Sequence, residues 1–259
     1  MTEWINAAND WVLYALIVLF IGMGVEGGAA FARWRRMHNP DDADRFLSTL
    51  AAPTIGLLAL MIGFTFSMAL MRFEDRKTAV VEEANAIGTA ALRGQMLPQP
   101  YSSAVAPLFK EYALLRVRRG GETFASPAVM EVIRRSVDIQ GKLWREAMEA
   151  AAANPQVVPT GLFVQALNSM IDMHETRLTA GRNHVPVVVF IMLEGVAIVA
   201  HGFAGYGEQW AGAWSRAGLW IMAVMIGSVI MLIVDLDRPQ AGFITVDQQP
   251  LLDLIEQMK

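Results

Sequence analysis

Glu194 stands near the middle of Pro186 to Gly205, a stretch that holds no other Asp, Glu, Lys or Arg. In a membrane interior an ionised carboxylate there would cost about 2.5–3.5 kcal/mol, so the group must be protonated, paired or facing water. His201 follows seven residues on, two helical turns away on the same face, within reach of a water-linked network. Two chemistries fit: an ion or proton path, or a protonated carboxyl hydrogen-bonding between helices. Glu26, in "GMGVEGGAAFARWRR", lies nearer the end of its apolar run, with Arg33 on its face. A pair in which Arg33 snorkels to the interface is the simplest reading. The neighbouring Gly22, Gly24, Gly27 and Gly28 predict a close helix crossing.

Other chemistry fails on spacing. "HETRL" at His174 opens like a zinc-protease helix but puts Leu178 where the second His is needed, and no Gly-Lys-Ser/Thr phosphate loop occurs. The four His are scattered, and the absence of Cys removes thiolate catalysis and disulfides. Arg118 and Arg119 beside Gly120 and Gly121 read as a solvated turn. The chain is therefore expected to be no enzyme, with no catalytic residue, metal ligand or cofactor.

The elements that must carry these groups follow from composition. With 54% hydrophobic residues and 18% charged ones, part of the chain belongs in lipid and part in water. Four apolar runs are long enough to cross: Trp11 to Ala32, Thr54 to Met71, Pro186 to Gly205 and Ala217 to Val234. The first exceeds a signal peptide's apolar core and has no basic residue ahead of it, so it is expected to stay as an anchor. The predicted fold is an all-α membrane protein with four transmembrane helices and a helical extramembrane region between the second and third. Its segments are 1–71 (helices 1 and 2), 72–184 (extramembrane), 185–236 (helices 3 and 4) and 237–259 (tail).

Residues 72–184 hold 14 Lys plus Arg against 12 Asp plus Glu, a balance that argues against a nucleic-acid binder. Apolar residues recur there at helical spacing in three stripes: Val105 to Leu115, Val129 to Ala147 (including Val137) and Leu162 to Ile171. Breaks fall at Pro98 and Pro100, at "RRGGETFASP" and at "NPQVVP". No Pro or turn cluster interrupts Thr54 to Gly88, which predicts one helix that leaves the membrane near Met71 and runs on for four or five turns. The tail predicts an extended piece and a short amphipathic helix through Leu251, Leu254 and Ile255 that docks.

The second span has two unlike stripes. Gly56, Ala59, Gly63 and Ser67 are small, while Leu57, Met61, Phe64, Met68 and Met71 recur at spacings of four and three. The larger stripe is either a hydrophobic constriction of a pore or packing in a bundle.

The stretch "GLLALMIGFTFSMALMRFEDRKTAVVEEANAIGTA", then Met96 to Tyr101 and the tail "DLDRPQAGFITV", resembles the bestrophin-like domain family of bacterial membrane proteins. The resemblance covers nearly the whole chain. It implies a multi-pass protein of the bacterial inner membrane that assembles with itself, as a pentamer, and conducts inorganic ions along its second helix. The gate candidates are then Met61, Phe64, Phe66, Met68 and Met71, and the intramembrane polar candidates Glu26, Glu194 and His201. The family's aromatic neck is here reduced to Phe64 and Phe66, and its acidic calcium clasp to Asp235 and Asp237, so anion selectivity and calcium gating do not carry over. The implied orientation puts both termini and residues 72–184 in the cytoplasm, whereas Arg33, Arg35, Arg36 and Arg45 of the first short loop pull the other way, little offset by Asp41, Asp42 and Asp44. The alternative to a channel is a non-conducting membrane-anchored helical scaffold or signalling partner.

Overall fold

The computed structural model describes residues 9–38, 46–117, 126–153, 157–208, 213–238 and 242–258. Asp41, Asp42, Asp44, Arg45 and the Arg118 to Gly121 turn lie outside the described residues. Those residues form helices and no strand: α1 (Asp10–His38), α2 (Phe46–Thr49), α3 (Ala51–Gly94), α4 (Tyr101–Arg116), α5 (Pro127–Ala153), α6 (Val157–Arg182), α7 (Val187–Gly207), α8 (Ala213–Asp237) and α9 (Gln249–Gln257). Four helices are long and apolar enough to cross a membrane, carried by α1, α3, α7 and α8. The chain divides into two compact units, one of residues 1–71 and 184–238, the other of 72–183 and 239–259.

In the first unit α1 is the central helix, and glycine sets its distances. A Cβ built on Gly24 would lie 2.5 Å from the carbonyl oxygen of Ile198, and one on Gly28 would fall on that of Gly202. Both partners advance together, so α1 and α7 run parallel. The partners on α8 descend instead: Asp10 meets Arg238, Tyr14 meets Ser228 and Glu26 meets Trp220. α8 is therefore antiparallel to α1, with Gly22 under the Trp220 ring. The fourth glycine, Gly27, faces open space. Gly28→Ala should accordingly force the helices apart at a cost of about 1–3 kcal/mol, while Gly27→Ala should be neutral or gain a little from helix propensity. Thermal unfolding of the two variants in detergent checks the contrast.

The ends of the unit are tied by polar groups. Asp237 accepts from the backbone N–H of Val185 at 2.9 Å and sits 3.3 Å from His184, fixing the end of α8 to the start of α7. The buried Arg238 donates to Asp10 at 2.5 Å.

The second unit is a helical layer whose core holds Ile87, Phe109, Tyr112, Leu143, Phe163 and Leu167, with Phe109 and Phe163 edge to face at 6.2 Å. The stripes on α4 and α6 face this core as their periodicity predicts. On α5 the stripe is buried at Val129, Gln140, Leu143 and Ala147 but not at Val137, which is 50% exposed, while Ser136 and Ile139 are buried beside it. Ser136 hides its hydroxyl in a bond to the Val132 carbonyl at 2.9 Å, which lets a polar residue occupy the inner face. The tail helix α9 docks through Leu251 and Leu254, the latter against Gly88 of α3.

α3 is 44 residues long, so the uninterrupted helix expected from the lack of Pro and turn residues is present. Pro53 sits in its first turn, where a missing N–H costs nothing.

Candidate functional site

Within the membrane, α3 buries one narrow stripe, Leu58, Thr65 and Ala69, and leaves the opposite side open. Thr65 satisfies its hydroxyl internally, on the Met61 carbonyl at 2.8 Å. Spacings of seven and four place these three residues within about 40° of one another around the helix. Of the gate candidates, Phe64 is 68% and Met71 65% exposed, and Met68 is also exposed, with Leu57 and Leu60 beside them. Met61 and Phe66 are half-buried toward the packed side. Gly56, Ala59, Gly63 and Ser67 are exposed too, and a Cβ added at Gly56 or Gly63 would meet nothing within 4 Å. The small stripe and, apart from Met61, the larger stripe of the second span therefore lie on its uncovered surface.

Small outward residues form a continuous stripe on α3, whereas they are fewer on α7 (Gly195) and α8 (Ala217, Gly218, Ser228), where bulky residues predominate. The exposed surface of α7 presents Val188, Ile191, Met192 and Val199, and that of α8 presents Ile221, Met225 and Leu232. Such bulky faces suit lipid chains. A face that mixes Gly, Ala and Ser with Phe and Met suits close approach of another backbone.

The intramembrane polar groups fall into two kinds. Glu26 is paired, but across helices: Trp220 Nε1 donates to one oxygen at 3.1 Å, and Arg216 lies 3.8 Å from the other while binding Glu208 at 3.1 Å. Its cation comes from the start of α8, and Arg33 is exposed. Glu194 has both carboxylate oxygens buried, with no hydrogen-bond partner among the described residues. His201 is fully buried; its Nδ1 lies 2.8 Å from the Ala197 carbonyl, and its Nε2 has no partner among the described residues. The two groups share a side of α7 without touching through hydrogen bonds.

A second polar constellation lies in the core of the helical layer. Glu83 of α3, 0% exposed, accepts from Arg116 of α4 at 2.7 Å and from Arg177 of α6 at 2.5 Å. Arg177 also donates to the Arg116 carbonyl and to the Gln248 side chain of the tail. Next to them Gln140 donates to the Tyr112 hydroxyl at 3.0 Å, and that hydroxyl lies 3.2 Å from His174 Nδ1. The "HETRL" segment thus has a structural use: His174 and Arg177, three apart on α6, close this network. Among the described residues no three His, Cys, Asp or Glu side chains could hold a metal ion.

Burial, reinforced by the Arg116 charge and opposed by Glu83, holds His174 down at about 4 from its usual 6.5. Burial likewise pushes the Tyr112 hydroxyl up. Between pH 6.5 and 4 the unfolded chain takes up a proton that folded His174 refuses. Stability should therefore fall as pH is lowered through that window, by on the order of 3 kcal/mol in all. His174→Gln should flatten that slope in denaturant titrations at successive pH values.

Four membrane-crossing helices and a helical layer inserted between the second and third crossings define the class, an all-helical multi-pass membrane protein with an extramembrane unit. The chain belongs to the Bestrophin-like family, whose domain matches residues 18–251. Its fold is similar to crystal structures of a bacterial bestrophin homologue from Klebsiella pneumoniae. A tyrosine-to-alanine variant superposes with TM-score 0.70 at 11% identity, over 94% of this chain and 96% of that one. Another structure of that homologue gives TM-score 0.66 at 13% identity, over 96% of both chains. A proline-to-alanine variant of a membrane protein gives TM-score 0.66 at 14% identity, over 97% of this chain and 96% of that one. No curated protein sequence matches the chain.

Proposed function

We propose that the protein is an oligomeric bestrophin-like ion channel of the bacterial inner membrane, a five-fold ring in which α3 lines the path. The observation that carries this reading is the uncovered face of α3, where Phe64 and Met71 stand out from a helix that is otherwise packed through Leu58, Thr65 and Ala69. Copies brought together around this face give an apolar constriction at Phe64 and a lining softened by Gly63 and Ser67. Such a constriction gates by excluding water. Gly22, Gly24 and Gly28 of α1 are engaged within one chain by Trp220, Ile198 and Gly202, which leaves only Gly27 of the four open, so the drive to assemble is assigned mainly to α3.

Purified protein examined by native mass measurement and then by ion flux from liposomes tests the reading. A multimer with flux above that of protein-free vesicles is expected. A monomer alone contradicts it, because four helices leave no room for a path lined by one of them; a silent multimer favours the non-conducting scaffold.

A further inference from the structure

α1 spans 29 residues, which at 1.5 Å per residue is about 43 Å. That matches a bilayer of 40–45 Å including its headgroup layers, whose hydrocarbon takes only about 20 residues. With Asp10 at one boundary, the segment from Phe31 to His38 lies at the depth of the opposite headgroups.

Its residues are unlike the rest of the helix. Phe31 and Trp34 stack with ring centroids 5.8 Å apart, and Trp34 and His38 follow at 4.7 Å. Trp34 is 52% exposed even so. Arg33 and Arg36, one turn apart and about 100° and 160° around the helix from Trp34, are exposed and have no acidic partner among the described residues. Arg35 reaches the Tyr206 hydroxyl at 3.4 Å, which braces this end of α1 against α7. No acid occurs from Ala29 to His38, and Glu26, the nearest one on the helix, is occupied by Trp220 and Arg216.

We propose that this end of α1 is a binding site for an anionic phospholipid, with Arg33 and Arg36 on the headgroup phosphate; the exposed Trp34 ring, on the other side of the helix, marks the depth of the acyl boundary. Two guanidiniums match a phosphate in charge and in hydrogen-bond geometry. Trp prefers this depth because its ring is apolar and its N–H polar. The site is independent of whether the protein conducts.

Protein in mild detergent, incubated with phosphatidylglycerol or phosphatidylcholine, is examined for retained lipid by native mass spectrometry, with thermal unfolding in inorganic phosphate as a parallel arm. The wild type should retain phosphatidylglycerol over phosphatidylcholine. Arg33→Gln/Arg36→Gln should weaken that retention roughly thirtyfold, at about 1 kcal/mol per cation near the surface. Arg33→Lys/Arg36→Lys should keep most of it. Equal retention of both lipids by the wild type overturns the site without recourse to any variant. Undiminished phosphatidylglycerol on the double Gln variant, or equal stabilisation by inorganic phosphate, overturns it as well.

Discussion

Glu83→Ala should destabilise the extramembrane helical unit by about 3–5 kcal/mol, the cost of stranding buried charge after one partner of an ion pair is removed. Arg116 and Arg177 are both nearly inaccessible, and Glu83 is the carboxylate that each one meets. Its loss leaves two like charges facing each other in a dry core. Glu83→Gln keeps an acceptor and should cost less. Replacing the three together, Glu83→Ala with Arg116→Met and Arg177→Met, should recover much of the loss, since apolar packing substitutes well for a buried triad. Thermal unfolding and limited proteolysis between residues 72 and 183 report the effect. If Glu83→Ala unfolds no more readily than the exposed control Glu82→Ala, the triad does not hold the unit together.

The largest functional effect is expected at Phe64. Its side chain is mostly uncovered in the single chain, so truncation removes little intrachain packing. In a ring the same truncation is repeated in every subunit at one level of the path, widening and wetting it at once. Phe64→Ala should therefore raise basal flux several-fold while the unfolding temperature hardly moves. Phe66, about 200° away around the helix and half-buried, should behave oppositely, losing stability with no new conduction. If both variants merely destabilise, Phe64 is a packing residue and α3 does not line a path.

Much of the architecture was legible because membrane crossing is a demand on length and polarity alone, and the four runs met it. The long α3 was legible for the same elementary reason, since nothing between Thr54 and Gly88 could stop a helix. Which glycine matters was not: Gly27 and Gly28 are adjacent in sequence, and only the rotation of α1 against α7 decides that Gly28 meets a backbone. The partner of Glu26 depended likewise on α8 arriving beside it.

The buried triad could have been found. Glu83 shares a helical face with Val80, Ala84 and Ile87, whereas Glu82 lies one step off it, and the structure buries the first and exposes the second. On α6 the apolar stripe through Phe163, Leu167 and Met170 runs on into His174 and Arg177, so a charged residue continuing an apolar period was the signal. The departure at Val137 on α5 has the opposite cause: Val137 looked like core by type, but Ser136 takes the inner position by folding its hydroxyl onto its own helix.

The native chain has no Cys, so a single thiol can be placed without background. The most direct test of a path lined by α3 is thiol accessibility during ion flux, with Cys introduced at Ser67 on the open face or at Ala69 on the packed stripe. A charged thiol reagent should block flux through the Ser67→Cys protein and leave the Ala69→Cys protein unaffected. Conduction that persists unchanged in the Ser67→Cys protein after its thiol is shown to have reacted would place the path elsewhere.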